Sequence, residues 1–287
     1  MNQKQYVGYL YILPSFILLF VFTIVPIFMS FYFSFTKYNV FQPAIFVGLD
    51  NFVRMLKDPY VKKSLMNTIL FAVITVPIQT FLALGIASSI AAKAQNSFGM
   101  ILRGVLFIPV IVSLVSSATI WGIMFSTDSG ILNMILNLFA IDKINWLGQK
   151  TTAFFALTIV IVWKFVGYFV VIYYAGLMEV PRSLYEAAEI DGATQIQRFI
   201  RITIPILKPI TFLVITLGII WSFQIFDLPY VMTGGGPGNS TMTLGVMIYN
   251  AGFKEYSMGY ASAISVLLFV FIVCFSIIQR YLFAEKD

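Results

Sequence analysis

Residues 7–35 contain no charged side chain and only two prolines, Pro14 and Pro26, near the ends of the run. About 20 apolar residues rising 1.5 Å each cross the hydrocarbon of a bilayer. This run is longer than that. It also exceeds the core of a signal peptide and lacks a small-residue cleavage site, so it reads as an uncleaved transmembrane helix. Five more apolar runs follow, at roughly 65–92, 100–125, 153–177, 204–227 and 259–283. The expected fold class is an all-α, polytopic membrane protein with six transmembrane helices. One transmembrane domain would cover 1–287, with both termini on the same side.

Composition excludes several functions. Only 10% of the chain is charged, against about 25% in an ordinary globular protein. The net charge of +6 therefore reads as basic residues at helix ends and in loops, not as a nucleic-acid surface. There is no histidine, and the one cysteine, Cys274, lies inside an apolar run. Disulfides within the chain, His/Cys metal sites and histidine-dependent nucleophiles are thereby excluded. Charge does not orient the chain. With cytoplasmic termini, the inside set would be Lys4, Lys93, Arg103, Arg182, Arg198, Arg201, Lys208, Arg280 and Lys286, nine residues. The outside set would be Lys37, Arg54, Lys57, Lys62, Lys63, Lys143, Lys150 and Lys254, eight residues. That difference is too small to set topology.

The loops are more specific. "LDNFVRMLKDPYVKKSL" in the first places Phe52, Val53 and Leu56 on one helical face, as in an interfacial helix. "GILNMILNLFAI" in the third is too short to span. "TGGGPGNST" (233–241) is rich in turn formers but has Asn239 where a phosphate-binding loop needs lysine. No nucleotide-binding pattern occurs elsewhere, so any ATPase serving this chain is another polypeptide.

The fourth loop, 178–208, carries "EAAEIDGATQ" (186–195) and with it three of the chain's twelve acids. Ser183 followed by Glu186 fits a capping box, and Gly192 suits the left-handed residue that closes a helix. A short helix over about 184–191 is expected. Thr194 followed by Gln197 repeats the box and opens a second helix over about 195–203. Pro205 and Pro209 fall at the entrance of the fifth span. A helix of under three turns is marginal alone in water, and the small Ala187–Ala188 pair offers a low-relief surface for a partner.

Over "EAAEIDGATQIQRFIRITIPILKP" the chain resembles the EAA motif of binding-protein-dependent ABC importer permeases. Glu186, Ala187, Ala188, Asp191, Gly192, Ala193, Ile202, Pro205 and Pro209 match at fixed spacing. "YILPSFILLFVFTIVPIFMSFYFSFTKY", "FVGLDNFVRMLKD" and "NTILFAV" resemble the first helix, first outer loop and second helix of the sugar-importer branch. "TGGGPGNST" resembles the fifth loop of the maltose-permease-like member of each permease pair. The large outer domain and additional N-terminal helices of the maltose protein itself are absent, so maltose is not implied.

The resemblance implies a type I importer permease in a bacterial plasma (inner) membrane, with both termini cytoplasmic. It implies a second, homologous permease subunit, two ATPase subunits at the cytoplasmic face that bind ATP and Mg, and an extracytoplasmic solute-binding protein. The chain itself would hold no cofactor and catalyse no covalent chemistry. Glu186, Ala187, Ala188, Asp191, Gly192, Ala193 and Pro205 would form the ATPase-coupling element.

A substrate path is expected around the ionisable residue inside span four, because burying a charge in a membrane needs a partner or water. That residue is Lys164, with Asp227 near the end of span five as a possible partner. Gly218, Ser222 and Ile225 fall on one face of a continuous fifth helix, with Gln224 and Asp227 on an adjacent strip. Trp163, Tyr168 and Trp221 could serve as aromatic platforms for a sugar, with Gly167 beside them. The resemblance also puts Ser222 on the substrate face. The expected function is import of a sugar or oligosaccharide by alternating access. The alternative is an ion-coupled secondary transporter of a small polar solute.

Overall fold

The computed structural model describes residues 3–91 and 97–283. Lys93 and Lys286 lie outside the described residues, as does the side chain of Lys4. The described chain is mostly helical, a solution open to a chain in hydrocarbon because a helix satisfies its own backbone hydrogen bonds.

Its helices in order are α1 (Gln3–Leu19), α2 (Val25–Ser34), α3 (Asp50–Lys57), α4 (Pro59–Ala91), α5 (Ser97–Ile111), α6 (Leu114–Met124), α7 (Ile131–Leu138), α8 (Lys150–Glu179), α9 (Arg182–Ile190), α10 (Gln195–Arg198), α11 (Ile204–Ile206), α12 (Lys208–Phe223), α13 (Asp227–Thr233), α14 (Leu244–Tyr249) and α15 (Met258–Phe283). A π turn, Phe20–Ile24, joins α1 to α2, and a second, Phe199–Thr203, joins α10 to α11.

Among the described residues, four helical stretches are long and apolar enough to span a membrane: Tyr11–Ser34, Pro59–Ala91, Lys150–Glu179 and Met258–Phe283. Two more qualify only as bent pairs, α5 with α6 at 98° and the 195–206 segment with α12 at 68°. The expected spans over 100–125 and 204–227 are thus each a bent pair of helices and not one straight helix. Pro109 lies inside α5, which ends at Ile111. Ser113 then caps α6, its hydroxyl accepting from the Ser116 N–H at 3.2 Å. In the second pair, Leu207 separates α11 from α12, with Pro205 and Pro209 in the first turns on either side. Helix α12 also ends early, at Phe223. In a continuous helix the Pro229 ring would collide with the carbonyl four residues back, that of Ile225. The chain breaks there instead, and the Ile225 carbonyl accepts from Thr243 Oγ1 at 2.8 Å.

The chain divides into two compact units, 1–62 with 247–270 and 63–246 with 271–287. In the first, Thr36–Lys37 pairs antiparallel with Ile45–Phe46. Asn51 donates to the carbonyls of Ser34 and Thr36 at 3.0 and 2.8 Å. Helix α3 forms as expected, but the residue it buries is Met55, while Val53 and Leu56 stay exposed. Arg54 lies 4.0 Å above the ring of Tyr260, whose hydroxyl donates to Asp58 at 2.7 Å.

The second unit is built on α8, fourteen of whose thirty residues are buried. One apolar cluster unites Phe71, Phe125, Phe154, Leu157 and Leu228; another unites Ala83, Phe169, Tyr173, Leu207 and Val214. The turn-rich 233–241 segment is held by α4. Asn67 donates to the carbonyls of Asn239 and Met242 at 2.8 and 2.9 Å, and Thr68 Oγ1 accepts from the Leu244 N–H at 3.0 Å. That loop is therefore a structural fastening.

Candidate functional site

The residues marked out by sequence separate into two places, both in the second unit. The first is the 178–208 segment. Helix α9 starts at Arg182 with Pro181 as its N-cap, and no side chain caps it. Ser183 is inside the helix, so the expected Ser183–Glu186 box is not formed. The other end behaves as expected. Gly192 has φ +76°. Its N–H bonds the Glu189 carbonyl at 3.0 Å, and the Ala193 N–H bonds the Ala188 carbonyl at 2.9 Å. These two bonds define a Schellman motif, which satisfies carbonyls the helix end leaves free. Two residues on, the Thr194–Gln197 box is complete. Gln197 Oε1 accepts from the Thr194 N–H at 2.8 Å, and Thr194 Oγ1 accepts from the Gln197 N–H at 3.3 Å.

The two short helices are tied across the glycine turn. Arg198 pairs with Glu189 at 2.8 Å, and the hydroxyls of Tyr185 and Thr203 lie 2.8 Å apart. A cavity of about 500 Å³ lies behind them, lined by residues that include Arg182, Tyr185, Arg198 and Thr203. Helix α9 buries none of its own residues. Glu186, Ala187, Asp191, Gly192 and Pro205 are exposed, Ala188 and Ala193 half-buried. Ile190 is 88% exposed, which is costly for an isolated surface isoleucine in water. The result is a helix stopped and restarted by local hydrogen bonds, presenting small and apolar side chains outward.

The second place is the interior along α8 and α12. Lys164 is 3% exposed and does not pair with Asp227. Its ammonium donates to the carbonyl oxygens of Pro109 and Val110, at 2.5 and 3.3 Å, and to that of Val112. These are carbonyls at the break between α5 and α6. Gly167, one turn further along α8, lets α5 pass close by: a Cβ there would meet the Leu106 carbonyl oxygen at 1.8 Å. Asp227 opens α13 instead, where its charge complements the positive helix end.

The early end of α12 removes Ile225 from the face it was expected to share with Gly218 and Ser222, takes Asp227 off the adjacent strip, and leaves Gln224 exposed at the helix end. Gly218 faces Val76 and Phe169, and Ser222 lies 3.0 Å from the Thr75 hydroxyl, both in buried helix contacts. Of the expected platforms, Tyr168 and Trp221 do meet, edge to face at 5.0 Å, with Phe165 and Phe169 against the same indole at 5.1 and 5.5 Å. Trp163 is elsewhere, against Trp121 at 5.4 Å. The structure adds Thr75 and Gln79 of α4, the latter donating to the Ile161 carbonyl at 3.1 Å. The sequence signal for them was the spacing of Ser64, Thr68, Thr75 and Gln79 along one face of an otherwise apolar span.

Long apolar helices in this number define a multi-pass membrane protein. The chain belongs to the family of binding-protein-dependent transport system inner membrane components, whose model matches residues 44–285. It is 33% identical to the probable ABC transporter permease protein YurN of Bacillus subtilis, over 98% of this chain and 97% of that one. It is 36% identical to the trehalose/maltose transport system permease protein MalF of Thermococcus litoralis, over 96% and 93%. Its fold matches a chain of a bacterial alginate ABC transporter solved in complex with an alginate-bound periplasmic protein. The TM-score is 0.85 at 19% identity, covering 97% of this chain and 94% of that one.

Proposed function

We propose that this chain is one permease of an ATP-driven importer for a sugar or oligosaccharide in a bacterial inner membrane, with α9 as the element that couples it to an ATPase. The observation carrying the reading is the construction of 182–206. The Schellman turn at Gly192, the Thr194–Gln197 box and the Arg198–Glu189 and Tyr185–Thr203 ties stiffen a protruding helix. That helix has no buried residue of its own. A stiff knob transmits a displacement that a loose loop would absorb. The exposed Ile190 and Ala187 supply its contact surface.

In this reading α9 enters a cleft of an ATPase subunit, which places the 178–208 loop and both termini in the cytoplasm. A second permease contributes the equivalent helix. Two ATPase subunits closing on ATP and Mg move both knobs and switch the membrane helices between outward and inward access. A solute-binding protein delivers the sugar from outside. The half-buried Trp221 and Tyr168 pair is the aromatic surface best suited to a sugar ring, with Phe165 and Phe169 fixing the indole behind it. The trehalose/maltose relative supports the substrate class.

The test is to purify the complex, identify its subunits and measure ATP hydrolysis with solute-binding proteins loaded with different sugars. Stimulation by one sugar-loaded protein is expected. Uptake driven by a proton or sodium gradient without any ATPase subunit would overturn the proposal.

A further inference from the structure

Lys164 was expected on a substrate path, yet its ammonium is fully engaged with the backbone at the α5–α6 break. The last carbonyls of any helix lack intrahelical partners. In α5 those carbonyls end at Ile111, and the chain then turns by 98° into α6. Pro109, Val110 and Val112 are half-buried, and carbonyl oxygens with restricted access to water gain from a protein donor. Lys164 supplies it from α8, fifty-two to fifty-five residues away in sequence. One ammonium meets three converging carbonyl oxygens, those of Pro109, Val110 and Val112. Carbonyls freed at helix breaks also contribute, within larger sets of oxygens, to sites for free monovalent cations in membrane proteins. The cation here is covalently attached.

Two further observations support a positioning role. Gly167 seats α5 on α8 one turn from Lys164, so the clamp and the close contact act on the same helix. Beyond the break, α6 packs on α13, the short helix that follows the break in span five; both helices line a cavity of about 470 Å³ with Gly122, Ser126 and Val231. The angle of α6, and with it the wall of that cavity, depends on how the α5 carbonyls are held.

We propose that Lys164 is a positioning residue, a tethered cation that fixes the bend between α5 and α6, and that its three carbonyl partners become a site for a free monovalent cation when the lysine loses its ammonium. The transport readout of this inference rests on the importer reading; the stability readout does not.

The experiment compares wild type with Lys164→Met and Lys164→Arg in the assembled complex. Thermal unfolding in detergent and uptake in proteoliposomes are measured with choline, sodium, potassium or ammonium as the only added monovalent cation. In choline, Lys164→Met should unfold several degrees early and lose uptake by about tenfold or more, as expected for half-buried carbonyls left without a charged donor. Ammonium or potassium should restore much of both, leaving wild type unaffected. Lys164→Arg, which keeps the charge, should be less impaired in choline and gain little from the added cations.

If Lys164→Met fails to assemble, assembly in ammonium against choline becomes the readout. Losses that no cation relieves, or no loss in choline, overturn the proposal. A cation-specific gain in unfolding temperature without any ATP-dependent uptake, even by wild type, would uphold the cation site and count against the importer reading.

Discussion

The two bent spans, at 98° and 68°, are bent by different physics. The bend before α12 is written locally: Pro205 and Pro209 flank Leu207, and the capping box at Thr194 starts the approach. The bend between α5 and α6 has Pro109 and the Ser113 cap nearby, but its free carbonyls are answered by a lysine from another helix. The first is therefore a property of one segment, and the second a property of a packed pair. Local devices should tolerate change in graded steps, because each contributes about 1 kcal/mol. A tertiary clamp at close-packed density should fail more abruptly.

Gly167→Ala is the sharpest way to break that contrast. A Cβ at 1.8 Å from the Leu106 carbonyl oxygen forces backbone to move, since no side chain stands in the way that could rotate aside. Overpacking of this kind costs about 1–3 kcal/mol, and a backbone obstacle puts it at the upper end. Displacing α5 would also draw the Pro109 and Val110 carbonyls off Lys164. The expected result is a complex that unfolds several degrees earlier, read by thermal melting in detergent. A melting temperature equal to wild type would mean the two helices are not held at this distance.

Gly192→Pro comes next, on the local side. The φ of +76° lies in the left-handed region, whereas proline is fixed near −65°. The substitution also removes the N–H that bonds the Glu189 carbonyl. The combined cost is about 3 kcal/mol, confined to an exposed segment. Insertion and assembly should survive while ATP hydrolysis loses its coupling to uptake. Normal uptake by an assembled variant would show that the stiffness of α9 is unimportant.

These two glycines also show what sequence can and cannot reveal. Gly192 was legible because its neighbours, Asp191 and the Thr194–Gln197 box, explain it within six residues. The apolar runs were legible for the same reason: length and composition are local. Gly167 had no such context, since the object it clears is a carbonyl in α5. Lys164 was visible as an anomaly, but its partners are main-chain oxygens, which every residue carries and no side-chain pattern marks. Asp227 was the natural guess because it was the nearest opposite charge in a neighbouring span. The break that moved it had a readable cause in Pro229, whose conflict with Ile225 lies four residues upstream. Ser222 was expected on a substrate face, and the structure shows it buried against the hydroxyl of Thr75 of α4, a partner no local pattern in span five marks.

The smallest effects come from the paired caps of the 178–208 segment, and their difference is the informative quantity. Thr194→Ala removes a hydroxyl that accepts the Gln197 N–H and so dismantles one half of a formed box. That should cost about 1 kcal/mol of local helix stability, seen as faster amide exchange at Gln195–Arg198 and a modest fall in coupling efficiency. Ser183→Ala has the same chemistry on paper, since Ser183 and Glu186 have the same spacing as Thr194 and Gln197. In the structure Pro181 is the N-cap and Ser183 is already within the first turn, exposed and bonded to nothing that caps the helix. Alanine is the better helix former at such a position, so amide exchange over 184–190 should be unchanged or slower. Equal losses in the two variants would mean that Ser183 caps α9 after all, shortening the helix by about half a turn or slightly more.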